Sequence, residues 1–281
     1  MSYKYYKIGD ANIMIGKIKM IACDMDGTLL NKEGIITEKA KEYISTLKEK
    51  GILFTIASGR MPFRVEKHIA SFIDKADMYY VANNGATIIS KGEVVRNLSF
   101  PVYKYKELIL KALDEGLEID FDYDNSYRPL IETERTKRHA DHIIGYDRPI
   151  GTSDEVWKLE INKMSVCDPK DSGIILPFLD SLRKIGGCSV FPYGVHAAEI
   201  APEGCTKYSG IKYLAKYLGI DTSEILAIGD HTNDVEMLKN AGFSAVVNNS
   251  VKEAREVAKY ISEYPYSDGV IDSIEYFTNK I

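Results

Sequence analysis

Five short apolar runs in this chain each end in a polar residue: "IKMIACD", "ILFTIA" before Ser58, "MYYVA" before Asn83, "EILAIGD" and "FSAVV". Continuous apolar runs of this length suit strands covered on both faces, which in practice means a parallel sheet flanked by helices. Helical patterns lie between them. Thr37 caps a predicted helix with Ala40, Tyr43, Ile44 and Leu47 at i, i+3, i+4, i+7 spacing, closed by Gly51. Pro62 suits the first turn of another helix. "YSGIKYLAKYLG" puts Ile211, Leu214, Ala215 and Leu218 on one face; "NDVEMLKNAG" reads as a helix, and "VKEAREVAKYI" as the final one. Strand–helix alternation predicts an α/β fold: a doubly wound, mostly parallel sheet with right-handed crossovers, a Rossmann-like core.

The middle follows another rule. "EIDFDYD" and "KLEINKMSV" alternate at period two, with two helical stretches between, as antiparallel strands with one solvated face would. This predicts an α+β cap domain at 87–190, inserted into a core made of 1–86 and 191–281.

The net charge of −5 over 281 residues argues against a nucleic-acid surface but leaves room for small anionic substrates. Cys23, Cys167, Cys188 and Cys205 form no C-x-x-C pair and read as reduced thiols. The first twenty residues hold no continuous apolar core, and no run is long enough to span a bilayer. The expectation is a cytoplasmic protein without a membrane partner.

Strand ends of an open α/β sheet converge on one edge, where ligands bind. Here they bring Asp24 and Asp26, Ser58, Asn83 and Asn84, and Asp230, while Lys207, Asn233 and Asp234 open helices. The set meets the needs of phosphoryl transfer to a carboxylate. Attack on a phosphate dianion requires neutralisation by Mg²⁺ and a lysine. Mg²⁺ takes one or two carboxylates with water and phosphate oxygens, which Asp24 and Asp230 can supply, with Lys207 as the point charge. Two neighbouring carboxyl groups push their titrations apart, so D-x-D spacing suits one nucleophile and one acid/base.

"DMDGTLL", "ASGR", "NNGA", the lysine after "EIAPEGCT", and "GDHTND" together resemble the ordered motifs of haloacid dehalogenase-like phosphohydrolases, and most nearly the Cof-type subfamily with its large inserted cap. The resemblance implies Asp24 as nucleophile and Asp26 as general acid/base. It implies Mg²⁺ on the Asp24 carboxylate, the Asp26 backbone carbonyl and the Asp230 carboxylate, with Asp234 in or beside that shell. Ser58, the Gly59 backbone, Lys207 and Asn233 would hold the phosphate. The expected activity is a Mg²⁺-dependent phosphatase for small phosphorylated metabolites, sugar phosphates above all, as monomer or homodimer. A sugar phosphomutase and a non-catalytic phosphometabolite-binding protein are the alternatives. Tyr208 and Asn248 stand where the family usually has glycine, and His231-Thr232 where it often has small or acidic residues.

Other groups have plainer readings. Ser58 suits a helix cap as well as phosphate; Arg60 is divided between a salt bridge and substrate. Asp120, Asp122 and Asp124 read as the wet face of a cap strand rather than a second metal site. His139 and His142 read as surface residues, and "ETERTKR" as a solvated helix. His196 and Glu199 have no placement from sequence, and the tyrosines at 3, 5 and 6 suit an extra strand or a loose end.

Overall fold

The computed structural model describes residues 18–140 and 149–278, with side chains at 138–140 left aside. His142 and the N-terminal tyrosines lie outside the described residues, as does the side chain of His139. The chain divides into two compact units, one containing the residues up to Ile56 and from Ala215 onward, the other Ala57–Leu214.

The first unit is the expected α/β layer. Its strands lie in the order Tyr260–Ile261, Phe243–Val246, Ile225–Gly229, Met20–Asp24, Leu53–Ala57. The first four pair in parallel. Every residue of Met20–Asp24 and of Ile225–Gly229 is buried, as their apolar composition requires. Thr37 does cap its helix, its Oγ1 accepting from the Ala40 amide at 3.3 Å, and Ala40, Ile44 and Leu47 face inward.

The end of the chain departs from expectation. "VKEAREVAKYI" is not one helix: only Lys252–Arg255 is helical, and Tyr260–Ile261 joins the sheet beside Ala245 and Val246. The last helix is Tyr266–Thr278, just after Pro265. The Lys259 amide donates to Ser244 O, so sheet pairing outweighs helix propensity here. Gly269 inside the final helix masks it in sequence. Its absent side chain lets the backbone at Tyr264 approach: a Cβ there would stand 2.2 Å from Tyr264 O.

In the second unit Tyr79–Ala82, Thr87–Ser90 and Glu93–Asn97 form an antiparallel meander. A five-stranded antiparallel sheet follows the order Cys188–Tyr193, Ala197–Pro202, Lys163–Cys167, Glu118–Tyr123, Ser126–Pro129. Asp124 and Asn125 join the last two strands with φ of 50° and 52°, the two-residue turn whose twist matches a hairpin. Period-two alternation is kept. Ile119, Phe121, Met164, Val166, Ala198 and Ile200 form one face, in a core shared with the helices Lys106–Asp114 and Ile175–Ile185.

The opposite face is not wet. Asp120 and Asp122 are 1% and 4% exposed. Arg135 turns in from "ETERTKR" to pair with Glu118 and Asp120, so that helix is not solvated all round. Acids at alternate positions need water or cations, and here cations from other segments supply the compensation.

Phe121→Ala removes a fully buried ring from this core and is expected to cost ~3–5 kcal/mol, read as a lowered midpoint in urea denaturation.

Candidate active site

Register creates the acidic centre of the first unit. Cys23 pairs with Ile228, so Asp24 stands level with Gly229, and Asp230 follows at once. Past Asp24 the chain folds tightly, the amides of Leu29 and Leu30 both donating to Met25 O. Gly27 takes φ of +83°, and a Cβ there would lie 2.5 Å from Asp230 Oδ2, so only glycine suits the position. Thr28 Oγ1 donates to Asp230 Oδ1 at 2.7 Å, and Asn249 Nδ2 donates to Gly27 O at 2.6 Å. Asp234 Oδ2 accepts from the amides of Asp230 and His231, at 3.0 Å each.

Asp24, Asp230 and Asp234 are all buried, and each offers a carboxylate oxygen within 4.8 Å of the others. Among the described residues this is the one grouping of metal-type ligands. Three carboxylates this close repel one another in a poorly solvated place unless a cation lies among them. An oxygen-only donor set of this charge fits a hard divalent ion such as Mg²⁺. Asp26 is different: its side chain is exposed, and its backbone bridges to Leu30. Asn233 is half-buried in the 3₁₀ turn Thr232–Asp234.

The second unit contains the other expected residues. Ser58 is buried; its amide donates to Val81 O, and its Oγ accepts from the Arg60 amide at 3.1 Å. It does not cap the next helix, whose N-cap is Met61. Arg60 lies against His68, Nη1 to Nε2 at 2.7 Å. Lys207 is 2% exposed and begins the helix Lys207–Leu218. Thr206 and Ser209 cap that start reciprocally, each amide donating to the other's hydroxyl at 2.9 Å. Tyr208 lies in the first turn of that helix, directly after Lys207. Asn248 lies outside the left-handed region, and its Nδ2 donates to Glu263 O at 2.7 Å. His196 is exposed and pairs with Asp171.

One cluster has no clear signal in the sequence. Lys163 Nζ reaches Asp122 Oδ2 at 3.0 Å, Glu199 Oε1 at 2.9 Å and Gly59 O at 2.8 Å. Glu199 Oε2 accepts from Asn84 Nδ2 at 2.7 Å and from Tyr193 OH at 2.9 Å. Burial opposes both charges. Even so, Asp122 and Glu199 hold the Lys163 ammonium protonated above the usual lysine range, and Lys163, Asn84 and Tyr193 hold Glu199 below the usual carboxylate range. Asp122 goes the other way, burial raising it despite Lys163.

Carboxylates gathered at the carboxyl edge of a parallel α/β sheet lie where proteins of this fold class bind their ligands. The family model for haloacid dehalogenase-like hydrolases matches residues 21–274. A 5-amino-6-(5-phospho-D-ribitylamino)uracil phosphatase of Bacillus subtilis is 27% identical over 278 residues, covering 90% of this chain and 96% of its own. An Escherichia coli phosphatase of the same description is 27% identical over 274 residues, covering 92% and 95%. A solved HAD subclass IIB sugar phosphatase superposes with a TM-score of 0.80 at 22% identity, over 94% of this chain and all of that one, so the fold is shared. The chain belongs to the haloacid dehalogenase-like hydrolases and is a phosphatase by kind. The resemblance read from its motifs is borne out.

Removing Lys163 takes the nearest cation from the buried Asp122 and the partly buried Glu199, so Lys163→Met is expected to lose ~3–5 kcal/mol. The loss grows with pH. In the wild type the depressed pKa of Glu199 contributes stability present above its unfolded pKa and lost as pH falls through the folded value. In the variant both acids have raised pKa values, so their penalty is full at about pH 8 and shrinks toward about pH 5. Urea denaturation at the two pH values checks it.

Proposed function

We propose that this chain hydrolyses the phosphate monoesters of small phosphorylated metabolites, sugar and polyol phosphates in the first place. The carrying observation is the buried trio Asp24, Asp230 and Asp234, with the exposed Asp26 two residues beyond the first. In this reading Asp24 Oδ attacks phosphorus, and the ester bond to the leaving alkoxide breaks as Asp26 gives up its proton. Asp26 then takes a proton from water. That water attacks the phosphorus of the aspartyl-phosphate, breaking its bond to Asp24 and releasing inorganic phosphate. Ser58, the Gly59 amide, Lys207 and Asn233 bind the phosphoryl oxygens. The carboxylates of Asp24, Asp230 and Asp234, with the Asp26 carbonyl, would hold Mg²⁺, which would supply positive charge to offset repulsion between carboxylate and phosphate.

The relatives named for a phosphorylated ribitylaminouracil and for sugar phosphates support this substrate class. Segment 87–190 is proposed as the cap that contributes leaving-group contacts over the core of 1–86 and 191–281. The protein is proposed to act in the cytoplasm on small metabolites, as monomer or homodimer. Among the described residues no helix is long and apolar enough to cross a membrane.

A phosphate-release screen over metabolite phosphates, with Mg²⁺ and with EDTA, is expected to give Mg²⁺-dependent turnover. Asp24→Asn is expected to abolish that turnover with the circular dichroism spectrum retained; wild-type rates in the variant would remove Asp24 as nucleophile.

Asp26→Ala is expected to slow alkyl phosphates by ~10²–10⁴ in kcat and p-nitrophenyl phosphate far less, because a good leaving group needs little protonation. Equal losses on both would count against the acid role.

A further inference from the structure

Three consecutive carbonyls in the Ser58–Arg60 turn are each held by a donor. Ser58 O accepts from the Asn84 amide at 3.1 Å, Gly59 O from Lys163 Nζ at 2.8 Å, and Arg60 O from the Asn83 amide at 2.8 Å. In a trans peptide the C=O and the following N–H point in opposite directions. Holding Ser58 O therefore aims the Gly59 N–H away from Asn84. Holding Gly59 O aims the Arg60 N–H away from Lys163, and that N–H is the donor to Ser58 Oγ. With its oxygen already accepting from the Arg60 amide, the Ser58 hydroxyl keeps its proton to donate elsewhere.

Two of these three holds come from backbone amides; the third depends on a side chain from the antiparallel sheet. Lys163 can make it only because its ammonium is kept in place by Asp122 and Glu199. Glu199 also touches the turn directly. A Cβ on Gly59 would lie 2.4 Å from Glu199 Oε2, so the carboxylate fills the space that any larger residue would need. The same oxygen accepts from Asn84 Nδ2, whose amide holds Ser58 O.

We propose that Lys163 and Glu199 are positioning residues that fix the peptide planes of the Ser58–Gly59–Arg60 turn and so present the Ser58 hydroxyl and Gly59 amide to phosphate. The assignment rests on Ser58 and Gly59 holding phosphate, as proposed above. Neither residue touches the reacting atoms. Lys163 acts on Ser58 through Gly59 O and the Arg60 amide, and Glu199 acts through Lys163 and Asn84.

A double-mutant cycle with Ser58→Ala tests it. The probes are p-nitrophenyl phosphate turnover and inorganic phosphate affinity by calorimetry, both with Mg²⁺. Lys163→Gln is expected to weaken phosphate binding and lower kcat/KM by about tenfold, the size of one lost hydrogen bond to a charged group. In the Ser58→Ala background the same change is expected to cost much less, since the hydroxyl it orients is gone. The leaving-group dependence should stay as in the wild type, because proton donation is untouched. Equal loss in both backgrounds, or a lowered melting temperature with phosphate affinity unchanged, overturns the proposal. Should Lys163→Gln fail to fold, Glu199→Gln carries the cycle: it keeps the shape and the bond to Asn84 while removing the charge that holds Lys163. If Ser58→Ala alone leaves phosphate affinity and turnover intact, the phosphate role of the turn fails first. That result is distinct from additivity between two sensitive positions.

Discussion

A carboxylate taken out of water must meet a compensating charge or strong donors, and that requirement organises both units of this chain. In the first unit the acids come last on apolar strands. Met20–Asp24 and Ile225–Gly229 bury every residue, and their parallel register leaves Asp24 and Asp230 side by side. Thr28 and the backbone amides of Asp230 and His231 satisfy some of the oxygens, which orients the carboxylates without neutralising them. Carboxylate oxygens gathered in this way are the donors a hard cation takes.

The second unit meets the same requirement with protein cations. Asp122 and Glu199 share Lys163, while Glu118 and Asp120 share Arg135. Both arrangements lie on the polar face of one antiparallel sheet, whose other face packs on two helices. Only the Lys163 cluster also reaches a loop expected to bind substrate, through Gly59 O. Under the role proposed for that turn, one cluster of Lys163, Asp122 and Glu199 would serve both packing and phosphate binding.

Much of this was legible along the chain. The apolar runs became strands and Thr37 became a cap, because each feature depends on residues within a few positions of one another; the strand-end acids met because parallel strands leave their carboxyl ends on one edge. The misreadings share one cause. Segment 251–261 has a helical pattern, yet Tyr260 and Ile261 are claimed by pairing with Ala245 and Val246. Asp120 and Asp122 alternate as a wet face would, yet Arg135 and Lys163 arrive from 15 and 41 positions further along the chain and cover them.

By itself the sequence determined the chemistry at hand: which strands end in acids, that Asp24 and Asp26 are spaced as a pair, and that a lysine and a second acidic motif follow in order. Those are properties of neighbouring residues, set by side-chain periodicity and backbone preference. Only the tertiary structure decided which carboxylates share a cation, that Asp234 closes its own turn rather than pointing to solvent, and that Lys163 holds the Gly59 carbonyl. Such pairings join residues far apart in the chain, and their energies depend on burial and distance, neither of which is written locally.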